Sequence, residues 1–446
     1  MIGWSARPNG EINVGFLSFL KSKPEPSATP AATAVDAPDV LASALAPPPD
    51  AVPPEQLAVL ITRTGIVDKR QRLSGYRFGA ALPEPELIEA LVIAHVPEFA
   101  QERMALVPIS AQAVGAGLHL PLVALHTVFL LDQLVIDAAA ALRIAGSQVA
   151  LRATSLKEEH AALLSSVDLV LLSLHDYPLE EFQALCKQLH VRHPHLKLVV
   201  DGVDTWEEQR MCLSWGASYF MGEFLGTTDA VDPDAKIDQS RMTSIELLNL
   251  LRTDAELPAM IEVAKRDPGM TYQVLQWANA PASGQTTKVT SLQQAFMVLG
   301  RNQLYRGLTV SMFRLGGGAN KERDASLLEV ALTRARFLET CSKLPQSGRD
   351  ELFLVGLLSL FDVLLGVPMA RLVDKMHLSD DIRDVLLGTE GMYSPYLRMV
   401  LLLQRDKIEP ALEIAAQLDI DIDSLPQVGQ AAFAWAQAAL QHTGAD

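Results

Sequence analysis

Cysteine is scarce in this chain of 446 residues: Cys186, Cys212 and Cys341 lie far apart and form no C-x-x-C pair. That argues against a disulfide framework, fits a reducing compartment, and leaves three thiols to be read as buried and structural. Basic charge is also short. Lys and Arg number 37 against 53 Asp and Glu, the formal net charge is -16, and no basic stretch longer than a few residues offsets it. A duplex-DNA footprint is excluded on that balance, and no nucleic-acid partner is expected. Long apolar runs are lacking as well. Leu120 to Ala145 is interrupted by His126, Asp132 and Asp137, and Leu352 to Val367 by Asp362. The second is shorter than the ~20 residues a membrane span needs, so both are expected to be buried helices or strands. Met1 to Leu20 shows no secretory signal, because Arg7, Asn9, Gly10 and Glu11 precede any apolar run. The expectation is a soluble, cytoplasmic protein with no membrane span.

What is present is globular in character: 49% of residues are hydrophobic, and the length suffices for two or three domains, each with its own core. Residues 1–56 read as a flexible N-terminal segment and linker. Pro, Ala, Ser and Thr dominate Lys21 to Pro54, and Pro47-Pro48-Pro49 cannot join a helix interior. Phe16, Leu17, Phe19 and Leu20 just before it read as a loosely ordered terminus, with a docking segment as the alternative. From residue 57 to 230, short apolar runs recur between helix-length segments: Leu57 to Ile61, Met104 to Val107, Val123 to Leu130, Gln148 to Leu151, Val167 to Leu174, Leu196 to Val200 and Ala217 to Met221. Such runs signal a parallel sheet covered on both faces, and the cadence fits an α/β barrel of the TIM type. From 240 to 440 the pattern is helical. Asp267-Pro268 starts one element, Ser291 with Gln294 makes a capping box for another that stops at Gly300, and Gly316-Gly317-Gly318 marks a loop.

Ile66-Val67-Asp68 with Gly75-Tyr76, then Val200-Asp201-Gly202-Val203-Asp204-Thr205, then Trp215-Gly216-Ala217 to Gly222 resemble, in order, three motifs of the EAL family of cyclic-di-GMP phosphodiesterases. The resemblance implies a TIM-like barrel with a two-metal phosphodiester site at its mouth. It also implies that the site is degenerate here. The signature Glu aligns with Arg77, the phosphate-holding Arg with Ala81, the next strand's Asn with Pro108, the paired Asp motif with Arg152-Ala153, the Lys with Leu171 and the closing Gln with Met221. Asp204 alone keeps an oxygen ligand. The stretch between Tyr76 and Pro108 is shorter than usual, which leaves open whether the barrel has all eight strands.

Leu257-Pro258 through Asp267-Pro268, Leu275 to Ala280 and Ser291 to Gly300 resemble the HDOD module, a relative of the HD phosphohydrolases. By that resemblance Gly356-Leu357-Leu358-Ser359-Leu360 stands where an HD enzyme has "G-L-L-H-D", so the metal-binding His-Asp pair is Ser359-Leu360, with Asp362 and His377 surviving nearby. The two resemblances together imply a bacterial signalling adaptor of EAL-then-HDOD order. It would be without catalysis, metal or cofactor, and would act through protein partners and possible self-association. The alternative is a receptor that binds cyclic-di-GMP without cleaving it.

Residual ligand contacts are expected at Arg77, Arg152, His175 and Asp204. His175-Asp176 follows an apolar strand at the expected barrel rim, where ligand-binding residues gather, with a surface loop as the plainer reading. Asp204 reads first as a structural carboxylate or N-cap. His190, His193 and His195 read as a solvated turn around Pro194 and not as a zinc site, which needs a fourth ligand. Asn279 reads as a C-terminal cap or an interface contact, and Arg301 and Arg306 as solvated charge.

Overall fold

A computed structural model describes residues 59–133, 135–153, 163–229, 237–280, 287–314 and 321–441. The Pro-rich arm, the apolar segment before it, most of the acidic tether at 229–238 and the Gly316-Gly317-Gly318 loop lie outside the described residues.

Eight strands close into a barrel in sequence order: β1 (Thr62–Asp68), β2 (Leu73–Gly79), β3 (Met104–Pro108), β4 (Thr127–Leu131), β5 (Gln148–Arg152), β6 (Leu169–Ser173), β7 (Lys197–Asp201) and β8 (Ala217–Phe220). The barrel is complete. The short stretch after Tyr76 still accommodates helices α1 (Glu84–Ile93) and α2 (Val96–Phe99) before β3. One strand runs against the rest: β1 is antiparallel to both β2 and β8, and the six other pairs are parallel. The apolar run Leu57 to Ile61 is not the first strand. Residues 59–61 precede it, and the strand itself is the more polar segment from Thr62. Its polarity follows from its place, since β1 and β2 face the helical half as well as the barrel lumen.

Strands β3 to β8 are apolar on both faces because the lumen lies on one side and helices on the other. Those helices include α3 (Ala111–Gly115), α4 (Ile136–Ile144), α5 (Leu179–Arg192) and α6 (Trp206–Ser214). The lumen is filled by its own cluster of Ile66, Leu106, Val128, Leu130, Leu169, Leu171, Val199 and Met221, separate from the main core. It is a packed interior and not a pore.

The second half is helical among its described residues. It comprises α7 (Gln239–Arg252), α8 (Leu257–Lys265), α9 (Pro268–Asn279), α10 (Leu292–Arg314), α11 (Lys321–Cys341), α12 (Gln346–Leu358), α13 (Phe361–Leu365), α14 (Met369–Val373), α15 (Asp380–Leu386), α16 (Ser394–Gln404), α17 (Ile408–Gln417) and α18 (Leu425–Gln441). Asp267 caps α9 by accepting from the Gly269 and Met270 amides, as Asp-Pro predicts. Ser291 accepts from the Gln294 amide at the start of α10. Gly300, at a non-helical φ of 69°, ends the first segment of α10 as the sequence predicts, and a second helical segment continues from it to Arg314. Helix α11 packs on α12 and α18. The approach to α12 is close at Gly356, where a Cβ would stand 2.4 Å from the Ala335 Cα.

Of the two arginines expected in solvent, Arg301 is exposed but also makes structural hydrogen bonds, and Arg306 is half-buried. Arg301 donates to the carbonyls of Leu251 and Ala255 at the C-terminal end of α7, satisfying orphan acceptors there. Arg306 pairs with Glu339 and Asp350 and lies over the Phe353 ring. Asn279 does cap its helix through the Leu275 carbonyl. It also straps down the next segment by exchanging two hydrogen bonds with Val289.

The two halves are docked through α11 and α18. Glu329 on α11 is the hub, with its side chain 7% exposed. It accepts from Tyr76 Oη at 2.6 Å, from Arg103 Nη1 at 2.9 Å to both oxygens, and from Gln437 Nε2 at 2.7 Å. One turn earlier, Ser326 Oγ accepts from the Leu73 amide and donates to the Gln71 carbonyl. Phe433 of α18 meets Tyr76 edge-on at 5.2 Å. Burial and the nearby carboxylate both raise the Tyr76 phenol well above its ordinary range.

Candidate functional site

The docking leaves a cleft of about 820 Å³ between the barrel mouth and the helical half. Its barrel wall comes from β1 and β2 and from the C-terminal ends of β7 and β8. There the chain supplies Thr64, Arg77, Asp201, Asp204 and Glu223. Its other wall comes from α11, α16 and the turn after α12, with Arg334, Ser359, Gln404, Arg405 and Lys407. The two segments that resemble the signature sites of two different hydrolases therefore face one shared space.

On the barrel side, Arg77 points its guanidinium at Asp201, with Nη1 to Oδ2 at 2.9 Å, and both side chains are largely buried. The pair closes the mouth above an apolar lumen in which Leu171 and Met221 are 1% and 0% exposed. A desolvated Arg-carboxylate pair neutralises itself, so Asp201 is engaged and not free to hold a cation. Asp204 is exposed and accepts from the Glu223 amide at 3.2 Å. It is not the N-cap of α6. Thr205 is, in a complete capping box with Glu208, so the carboxylate of Asp204 serves the turn after β8.

On the helical side, Ser359 donates to the Gly356 carbonyl and accepts from Arg334 Nη1 at 2.6 Å. Arg334 Nη2 reaches Gln404 Oε1 at 2.9 Å, and Nε is buried with no partner. A guanidinium thus sits against Ser359, the residue that the HD resemblance aligns with the metal-binding histidine. Burial pulls Arg334 down to about 10, Arg405 adds to the pull, and Asp362 opposes it. Asp362 itself is raised, chiefly by burial. His377 is exposed, and its amide is bound by Asn249.

Two expected contacts lie elsewhere. Arg152 pairs with Asp132 at 2.9 Å on the rim and does not line the cleft. His175 is exposed and stands against Gly202, where a Cβ would be 2.3 Å from its Nδ1; the positive φ of 77° also favours glycine there. It holds the rim turn and does not line the cleft. His193 ends α5 as its C-cap and sits 6.0 Å from His195, ring to ring, in the expected turn. Among the described residues no three His, Cys, Asp or Glu side chains come together in a way that would hold a metal. Arg77 against Asp201 does not fit a site for two cations, because a guanidinium already neutralises that carboxylate. Arg63, Arg334, Arg405 and Lys407 are the cleft residues that sequence reasoning missed. A lone Arg in a helix carries no local mark of burial.

Residues 242–367 match the HDOD domain model. The chain thus carries an HDOD domain behind a closed eight-stranded barrel. It is similar to the uncharacterized protein YuxH of Bacillus subtilis strain 168, at 25% identity over 226 residues, covering 50% of this chain and 55% of that one. It is also similar to the cyclic di-GMP phosphodiesterase CdgJ of Vibrio cholerae, at 20% identity over 246 residues, covering 54% and 56%. The chain thus spans about half the length of both relatives. Among solved structures, the EAL domain protein of Listeria monocytogenes EGD-e aligns over 37% of this chain and 87% of its own, with 17% identity and a TM-score of 0.30. The Bacillus subtilis YkuI protein, which has an EAL domain, aligns over 54% and 73%, with 14% identity and a TM-score of 0.33. Among the described residues no helix is long and apolar enough to cross a membrane.

Proposed function

We propose that this chain is a non-catalytic signalling adaptor of EAL-then-HDOD order in cyclic-di-GMP-linked regulation, whose docked halves present surfaces to protein partners. The observation that carries the reading is a guanidinium at one signature position, Arg77, and another, Arg334, bound to the residue at the second, Ser359. Arg77 is in turn bound to Asp201, whereas metal-dependent hydrolysis needs a cation held by anionic or imidazole ligands. A fixed positive charge repels a divalent ion, and neither residue offers the metal-bound water that attacks a phosphodiester. The link to cyclic-di-GMP comes from the relatives: the CdgJ protein is named as a phosphodiesterase of that nucleotide. Retention of both folds without their ligand sets favours recognition as the shared role.

The test is elemental analysis of the full chain purified without chelator. Bound Mn, Fe and Zn are expected well below one equivalent. A stoichiometric metal that disappears in the Asp204→Ala or Asp362→Ala variant would sink the reading.

A further inference from the structure

The first described residues, 59–61, lead into β1 along the edge of the cleft, where Leu60 and Ile61 form part of its lining. Leu60 lies against α18: a Cβ at Gly429 would stand 3.8 Å from its Cδ1. The chain N-terminal to the barrel therefore enters at this cleft and not on the barrel's outer flank. Two features of the cleft are unmatched among the described residues. One is apolar. Leu60, Val330, Leu397, Leu401 and Leu403 line the space and stay half-buried, although docking brings them together. The other is charge. Arg63 is bound by the Ile61 carbonyl and Gln430, and Arg334 by Ser359 and Gln404, all neutral oxygens, and the Nε of each is buried without a partner. The carboxylates that line the cleft are committed elsewhere, Asp201 to Arg77, Glu223 to Arg405 and Asp204 to the turn after β8. Buried cations are ordinarily matched by an anion, and a contiguous apolar wall by an apolar partner.

The start of this chain, outside the described residues, carries both complements. Ile12, Val14, Phe16, Leu17, Phe19 and Leu20 are six apolar side chains among nine residues, and Glu11 is the sole acid of the first twenty. We propose that residues 11–20 of this chain occupy the cleft in cis, with Phe16 and Phe19 on the leucine wall and the Glu11 carboxylate matched to Arg63 and Arg334. The volume of about 820 Å³ admits several side chains. Residues 21–58 connect the segment to β1 and when extended span on the order of 100 Å, so the tether can return to the cleft from whose edge it starts. Such a tether also holds the segment at an effective concentration far above that of a second copy in dilute solution, which favours the cis arrangement. The two walls belong to different halves, so the seated segment touches both and binds the docked form in preference to the separated one. The arm is then a built-in competitor: any partner that uses this face must displace it. The inference concerns occupancy of the cleft and stands apart from the adaptor reading, since its test reads the position of the arm and not turnover or partner capture.

The experiment is disulfide trapping in the full chain. The three native thiols are buried, so cysteines introduced at exposed positions react first. Ser18→Cys is paired with Lys407→Cys at the cleft opening and, as a control, with Ile144→Cys on the barrel flank, where the side chain is 88% exposed. Under mild oxidation in dilute solution, the intramolecular disulfide to position 407 should form about 10-fold or more faster than that to position 144, the factor that burial of one Phe side chain supplies. Phe16→Ser together with Phe19→Ser should bring the rate at 407 down to that of the control, and Glu11→Gln should lower it about 2- to 10-fold. These three substitutions lie in the arm, outside the barrel and the helical core, so a lost trap does not report misfolding. Equal rates at 407 and 144 overturn the inference, as does a rate at 407 indifferent to the Phe pair or to Glu11. A covalent dimer in place of the intramolecular product means that the arm of a second copy fills the cleft, and overturns the cis arrangement.

Discussion

Replacing Glu329 with alanine removes the acceptor on which the two halves converge. The carboxylate receives Tyr76, Arg103 and Gln437, all from outside its own helix. Its side chain is 7% exposed and that of Arg103 21%, so the pair is screened far less than a surface ion pair. Removing one member of a buried pair costs about 3–5 kcal/mol, and stranding a buried hydroxyl about 1–3 kcal/mol more. Arg103 keeps two other acceptors, Gln437 Oε1 and the Leu73 carbonyl, which offsets part of that loss. The expected destabilisation is therefore about 3–5 kcal/mol in all. Urea unfolding of the full chain followed by tryptophan fluorescence reads it directly. The parent should unfold in one transition, and Glu329→Ala in two, the earlier one reporting the undocked half. Glu329→Gln, which keeps the shape and most hydrogen bonds, should lose roughly a third as much. A loss under about 1 kcal/mol with a single unshifted transition would show that Glu329 does not hold the halves together.

Two further outcomes follow from buried titrating groups. The Tyr76 phenol is raised in the folded state, so above its ordinary value of about 10 the unfolded chain releases a proton that the folded chain keeps. The contribution of Tyr76 should thus be level below pH 10 and be lost as pH rises beyond it, so the fall above pH 10 should be smaller in Tyr76→Phe; an identical fall in that variant would remove Tyr76 as a cause. The thiols of Cys186, Cys212 and Cys341 are each pushed up to about 12 by burial, so almost no thiolate exists at pH 8. Ellman's reagent should label all three only after unfolding, and fast labelling of the native chain would contradict their placement in the core.

Much of the barrel could be read in advance because its strands are local objects. The runs that became β3 to β8 are apolar on both faces, and that signature needs no knowledge of the partner strand. The hairpin was harder to see. β1 reads TRTGIVD and β2 LSGYRFG, with polar residues turned toward another domain, so neither shows a continuous apolar run. Asp267 and Ser291 were legible as helix starts because a cap bonds within its own turn. Arg301 and Arg306 were not, since their acceptors lie some 30 to 50 residues away. The same limit applies to the site. Arg77 and Asp204 were singled out by motif position, and both line the candidate cleft. Arg152 and His175 came from the same reasoning and lie outside it, because motif position does not say which rim residues a second domain will cover. Arg334 became part of the site only through docking over a separation of more than 250 residues from the barrel strands β1 and β2.

The central claim is that this protein binds without turnover, and the most direct measurement is hydrolysis itself. Full-length chain at high concentration is incubated with cyclic-di-GMP and Mg²⁺ or Mn²⁺, and linear dinucleotide is quantified by chromatography against a no-protein control. The account predicts no product above that control, whatever the metal. Product that accumulates with time and is abolished by Asp204→Ala would contradict it.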